Sequence, residues 1–158
     1  MAVDLDIDVL DRRTSRWAQA DRCAWDEHDV ELGTGAQRIL RSLRSLTVAD
    51  APNAAERRII HADLSGNVFL DGDGTPVILD LSPYARPAAW SDAIVVADAV
   101  TWQGGSVALA TSFAASAGGR DLLARALVFR LVAEQLGDAD GNPEMLAPYE
   151  RIVAHLTG

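Results

Sequence analysis

Apolar positions along the chain change period several times, and each change predicts an element. Val3, Leu5, Ile7 and Val9 alternate with Asp4, Asp6 and Asp8, the period-two pattern of a strand with one buried and one charged face. The aspartates read as edge protection against unwanted pairing, with a cation site as the weaker alternative. From Thr14 to Val30 the spacing of Trp17, Ala20, Ala24 and Trp25 predicts a helix whose aromatics face the core. A second helix is expected over 36–48, with Ile39, Leu40, Leu43 and Leu46 on one stripe and Arg38, Arg41 and Arg44 elsewhere on the cylinder. Those arginines read first as solvated side chains balancing nearby acids, and only second as phosphate contacts.

Residues 50–56, with Pro52 and Asn53, read as a loop, after which Arg58, Ile59 and Ile60 start an extended segment. Two short apolar strands, Asn67–Leu70 and Val77–Leu81, flank the turn-rich D-G-D-G-T-P, which marks a hairpin. Pro83 and Pro87 then interrupt the pattern. Beyond them Ala88–Gln103, Ser106–Ala117, Arg120–Leu136 and Pro143–Leu156 predict four helices, punctuated by Gly104-Gly105, Gly118-Gly119 and Gly137. The expected architecture is one α+β domain over 1–158, mostly α: a helical bundle with a small β-hairpin.

Length and composition narrow the classes. A chain of 158 residues with 49% hydrophobic positions can bury a real core, which excludes a disordered acidic tail. No apolar run approaches the roughly 18 to 20 residues of a membrane span, and the first residues lack a secretory pattern, so the expectation is a cytoplasmic protein with no membrane partner. One cysteine and three histidines exclude a thiolate-rich zinc site. The net charge of −9 argues against nucleic acid and favours a cationic or neutral partner. All 14 basic residues are Arg, and the missing Lys rules out a Schiff-base lysine and a phosphate-loop lysine.

Unusual polar groups concentrate in residues 58–82. His61, Asp63 and Asn67 occupy an irregular link between two apolar extended segments, and Asp80 interrupts the apolar run V-I-L-D-L. A carboxylate inside a buried strand costs several kcal/mol unless paired or bound to a cation. Antiparallel pairing of the hairpin would bring Asn67 beside Asp80, one neutral and one anionic oxygen suited to Mg²⁺, while Asp63 could accept a proton from a hydroxyl nucleophile. The alternative makes Asp63 and Asn67 turn-capping residues and Asp80 a hydrogen-bond acceptor. Spacing alone supports the two equally.

The segment H-A-D-L-S-G-N followed by V-I-L-D resembles the catalytic loop and metal-binding strand of the aminoglycoside phosphotransferase-like kinases, relatives of the protein kinases. The continuation S-P-Y-A-R-P-A-A-W-S-D-A-I-V-V-A-D-A-V is similar to an actinobacterial branch of that superfamily. The resemblance implies a kinase-like C-lobe in which Asp63 is the catalytic base, His61 orients the loop, and Asn67 and Asp80 hold Mg²⁺. Tyr84 and Arg86 are candidates for supporting the segment after Asp80. It also implies a nucleotide, ATP or GTP, and a small cationic or hydroxylated acceptor.

Three departures qualify the match. Asp63 and Asn67 are four residues apart, one fewer than in the protein-kinase pattern. Asp80 is followed by Leu81 and Ser82, so only the aspartate of D-F-G survives. The strand lysine that holds the α and β phosphates has no counterpart, which implies that the N-lobe is absent and ATP or GTP binds only if one is supplied. The expectation is therefore a lobe inactive as an isolated chain, with a pseudokinase-like binding module, homodimeric through the surface an N-lobe would cover, as the alternative.

Other features read as structure. D71-G-D-G-T and D138-A-D-G-N fail the calcium-loop pattern, because Pro76 and Pro143 fall at position six and Ser82 and Tyr149 at position twelve. Cys23 reads as a buried thiol, and His28 and His155 have no ligand-spaced partners.

Overall fold

The computed structural model describes residues 7–49, 56–137 and 142–158. In chain order these form α1 (Ile7–Asp11), α2 (Arg16–Ala24), α3 (Thr34–Arg44), β1 (Arg58–His61), β2 (Val68–Leu70), β3 (Pro76–Ile78), β4 (Pro83–Arg86), α4 (Ala89–Thr101), α5 (Val107–Ala114), α6 (Gly119–Gly137) and α7 (Ala147–Thr157). A 3₁₀ turn, Pro143–Leu146, leads into α7. The class is α+β and mostly helical, as the periodicity predicts.

The core is built around α6. Every residue from Leu122 to Ala133 is buried, so this helix is covered on all sides rather than along one stripe. α2, α3, α4, α5 and α7 pack against it. An aromatic cluster fills the space between α6, α2 and α4: Phe129 meets Trp17, Tyr84 and Trp90 at centroid distances of 5.4–5.7 Å, and Trp25 packs edge-on to Trp90. α3 is the amphipathic counterpart, burying Ile39, Leu40 and Leu43. Gly119 is required where α6 starts, because a Cβ there would sit 2.1 Å from the Phe113 carbonyl oxygen.

Burying α6 on all sides over 121–133 forces Arg125 and Arg130 inside. Arg125 Nε bonds the Asp121 carboxylate, while its terminal nitrogens reach the carbonyls of Ala24 (2.8 Å) and Val48 (2.9 Å), tying the ends of two segments to the core helix. Arg86, on β4, donates to both oxygens of Asp21 and to both of Glu27. Both are the planar-fork geometry that an ammonium group cannot reproduce.

The strands form two separate antiparallel pairs. β1 pairs with β4 in the register Arg58↔Arg86 to His61↔Pro83, and β2 pairs with β3 from Val68↔Ile78 to Leu70↔Pro76. The hairpin is where its turn chemistry puts it: Asp71 Oδ1 accepts from the N–H groups of Asp73 and Thr75, an Asx turn rather than a calcium loop.

Several expectations are corrected. The proposed strand over Val3–Val9 lies partly outside the described residues, and its remainder, from Ile7, is helical in α1. Pro83 does not end the extended structure but opens β4; it pairs at the strand's first position, where a missing N–H is tolerated. Asp80 is not in a buried strand. β3 stops at Ile78, its residues are all exposed, and Asp80 is itself exposed with φ of 49°, so the burial cost inferred from V-I-L-D-L does not arise. The helix expected from Thr14 to Val30 ends at Ala24, and Asp26 follows in a left-handed conformation (φ 59°). The Arg38 and Arg44 side chains pair with Glu150 and Asp29, and Arg44 also donates to the buried Cys23 Sγ, whose thiol burial pushes up. The Asp138 turn lies outside the described residues apart from Asn142, which caps the 3₁₀ turn by accepting from Glu144 N.

At the C-terminal end of α6, Glu134 Oε1 accepts from both Tyr149 Oη (2.9 Å) and Trp102 Nε1, pinning α7 and the end of α4 to the core helix. Burial raises its pKa above the ordinary 4.5, with the two hydrogen bonds opposing that shift. A folded carboxylate that binds its proton more tightly than the unfolded one confers full stability below the unfolded value, and stability falls as pH rises through the folded value. Glu134→Gln keeps the oxygen acceptor without the charge. Its urea midpoint should therefore exceed that of the parent at pH 7, with the difference shrinking as pH falls towards 4.5.

Candidate active site

Two backbone ladders bracket the polar segment. On one side the β1–β4 pairing continues past its last strand residue, since Ala62 N donates to Ser82 O at 3.0 Å. On the other, Leu79 N donates to Asn67 O at 2.9 Å, extending the hairpin by one rung. The links 63–66 and 80–81 are therefore held between two closed rungs, and Asp63, Asn67 and Asp80 all lie on them or at their edge. The hairpin aligns Asn67 with Leu79, one position short of the expected alignment with Asp80.

Within this frame the loop is cross-braced. Asn67 Nδ2 donates to the Asp63 carbonyl at 2.8 Å and contacts Asp63 Oδ2 at 3.4 Å. That fixes the amide orientation, and no described residue donates to Asn67 Oδ1. Gly66 supplies the turn between the two with φ of 82°, a conformation open to glycine at little cost. His61 Nδ1 accepts from Asp63 N at 3.1 Å, and its Nε2 lies 3.4 Å from Ser82 N. A neutral imidazole accepts on one nitrogen only, so the shorter bond prevails and His61 acts on the loop backbone. Ser91 Oγ in turn donates to the His61 carbonyl, which ties α4 to the same rung. His61 is thus a positioning residue, while Asp63 and Asp80 reach the open side.

Asp63 and Asp80 line one cavity of about 320 Å³ together with Arg13, Trp17, Tyr84, Phe129 and Arg130. Asn67 is not among the residues that line it. Asp80 has no hydrogen bond or ion pair among the described residues. A non-glycine residue with positive φ and a free carboxylate at a cavity is the kind of local strain that clusters at functional sites. The described residues contain no group of three or more His, Cys, Asp or Glu placed to hold a metal ion. The donors here are one carboxylate and one amide oxygen, a set that holds Mg²⁺ only with waters or substrate phosphates completing the shell.

Arg130 is the group that sequence reasoning missed. Only 2% of its side chain is exposed; Nε and Nη2 bond the two oxygens of fully buried Asp98 at 2.6 and 2.7 Å, and Nη2 also reaches Asp63 Oδ1 (3.1 Å) and the Ala62 carbonyl (3.3 Å). Burial works against the charge, but the hydrogen bonds and charge of Asp98, then those of Asp63, hold its pKa above the ordinary value. The signal was present: an arginine in L-V-F-R-L-V and an aspartate in V-V-A-D-A-V are charges inside apolar helical runs, which need each other.

Compared with known proteins, the chain matches no protein-family model, no curated protein and no solved structure.

The two carboxylates on Arg130 differ in kind. Asp98 is wholly buried, whereas the Asp63 side chain is 38% exposed. Asp98→Ala should cost about 3–5 kcal/mol in urea unfolding by leaving a buried cation short of its main partner. Asp63→Ala should cost no more than about 1 kcal/mol, because Asp98 still holds the guanidinium.

Proposed function

We propose that the site is of the phosphotransferase type, a kinase-like C-lobe with Asp63 as the base and Asn67 and Asp80 as the Mg²⁺ ligands. The observation that supports this reading best is the frame itself: two antiparallel rungs hold the segments that carry Asp63, Asn67 and Asp80, and the two carboxylates line one cavity, Asp80 without a partner among the described residues. Asp63 Oδ1 is occupied by Arg130, which leaves Oδ2, carrying only the long 3.4 Å bond from Asn67 Nδ2, to accept the proton of an acceptor hydroxyl as the hydroxyl oxygen bonds the transferred phosphorus and the bond to the departing nucleoside diphosphate breaks. His61 and Asn67 hold the base in place. Mg²⁺, when bound, would neutralise charge on the phosphates.

Two protein oxygens bind a divalent cation weakly, so a Mn²⁺ or Mg²⁺ titration should show a shallow isotherm that Asp80→Asn abolishes. Unchanged cation binding in that variant would overturn the assignment. With no Lys in the chain to hold the α and β phosphates, transfer from ATP or GTP to aminoglycosides and amino alcohols should be undetectable. Turnover that disappears in Asp63→Ala would refute the inactive-lobe reading while strengthening the assignment of the base.

A second reading, a non-catalytic module that dimerises, has its own observation. The hairpin and its flank expose seven large apolar side chains: Val68, Phe69, Leu70, Val77, Ile78, Leu79 and Leu81, each 40–71% accessible. Contiguous apolar patches beyond a few hundred Å² mark interaction surfaces, and an isolated two-stranded hairpin is marginal without a covering layer. On this reading light scattering should give a dimer at micromolar concentration and a monomer for the double variant Phe69→Asp, Leu70→Glu. A parent that stays monomeric at every concentration would rule it out.

A further inference from the structure

The cavity beside Asp63 carries a second set of features that phosphoryl transfer does not use. One wall is aromatic, formed by Trp17, Tyr84 and Phe129. Arg13 lies over Tyr84, its guanidinium carbon 4.3 Å from the ring centroid, and its Nε donates to the Leu10 carbonyl at 3.1 Å. Ring contact and bond together hold the group in place and use one of its N–H donors. Among the described residues the terminal nitrogens of Arg13 meet no acceptor and no carboxylate pairs with it. Tyr84 Oη likewise has no hydrogen-bond partner among the described residues. Burial, ahead of all the charges around it, pushes the Tyr84 pKa up to about 12, so it is a neutral donor at any physiological pH.

The other charges at the cavity have work assigned. Asp63 is paired with Arg130, and Asp80 is the cation ligand of the proposed function. What Arg13 lacks among the described residues is a carboxylate at ion-pair distance, although Asp80 lines the same cavity. We infer that the cavity binds a small hydroxylated carboxylate with a flat apolar body, the carboxylate held by Arg13 and Tyr84 Oη, the body against Trp17 and Phe129, and the hydroxyl directed at Asp63.

A net charge of −9 draws cations towards the surface, but it does not choose the occupant of a cavity whose spare fork is a guanidinium. The volume, about 320 Å³, is at the lower end of the roughly 300–1,000 Å³ of ligand pockets and suits a single-ring compound. The inference rests on the phosphotransferase reading for the role given to the hydroxyl and for the assignment of Asp80 to a cation.

The test is calorimetric or NMR titration of the whole chain, without nucleotide or metal, using 4-hydroxyphenylacetate and tyramine. These share the ring and the hydroxyl and differ in the sign of the charged end. The carboxylate should bind, and the amine should bind at least about tenfold more weakly. Arg13→Met, which keeps an unbranched stem over Tyr84, should weaken the carboxylate by about tenfold, Arg13→Lys should recover part of that loss, and Tyr84→Phe should weaken it by less. Equal or tighter binding of the amine, no binding of either probe at millimolar concentration, or unchanged carboxylate affinity in Arg13→Met would each overturn the inference. Since metal and nucleotide are absent, failure of cation binding at Asp80 is read separately: a chain that retains the carboxylate but has no cation site keeps the binding site and loses the transfer chemistry.

Discussion

The guanidinium of Arg130 is where the core and the candidate site become one structure. It projects from the helix that α2, α3, α4, α5 and α7 pack against, and it cannot remain charged there without the two-point grip of Asp98. Its Nη2 also reaches the Ala62 carbonyl and Asp63, so the loop carrying the candidate base is anchored to the bundle interior rather than to its own neighbours alone. A buried ion pair contributes little net stability compared with an apolar replacement, but it is demanding about geometry. Here that demand falls on the position of Asp63.

Arginine rather than lysine is needed for this arrangement. Arg86, Arg125 and Arg130 each satisfy several acceptors at once through a planar fork: two carboxylates for Arg86, two carboxylates and two carbonyls for Arg125, two carboxylates and a carbonyl for Arg130. Each also lies over an aromatic ring, Trp25 for the first two and Trp102 for the third. The absence of Lys from the chain thus has two faces: it removes the usual phosphate-holding side chain, and it accompanies a core stitched together by guanidinium groups.

Around that anchored loop, the groups left without partners are informative because so much else is satisfied. Asn67 Oδ1, the Asp80 carboxylate, the terminal nitrogens of Arg13 and Tyr84 Oη lack partners among the described residues; Asp80, Arg13 and Tyr84 line the cavity, and Asn67 closes the loop that carries Asp63. The exposed apolar hairpin continues from the same region. Polar chemistry and uncovered hydrophobic surface therefore lie next to each other along the chain, at residues 63–81. The overall negative charge and the local chemistry point to different ligands, and the local terms dominate at contact distance because exposed charges are screened within about 8 Å at physiological ionic strength.

The helices, the hairpin and the segment holding His61, Asp63, Asn67 and Asp80 were legible in the sequence because each depends on residues close together in the chain: the 3.6-residue spacing of Ile39, Leu40 and Leu43, the D-G-D-G turn, the polar cluster between two apolar runs. What failed had non-local causes. Apolar composition marked V-I-L-D-L as buried, but burial depends on whether another layer covers the hairpin, and among the described residues none does. The partner strand of β1 was hidden by a proline that is harmless at a strand's first position. Arg130, Asp98 and Arg13 drew no attention because the residues that make them significant lie 32 to 71 positions away in the chain. Short-range patterning determined which groups sit on the loop; only the packing of α6 against α4, and the reach of Arg130 to Ala62 and Asp63, decided which of them are neutralised and which are left free to bind.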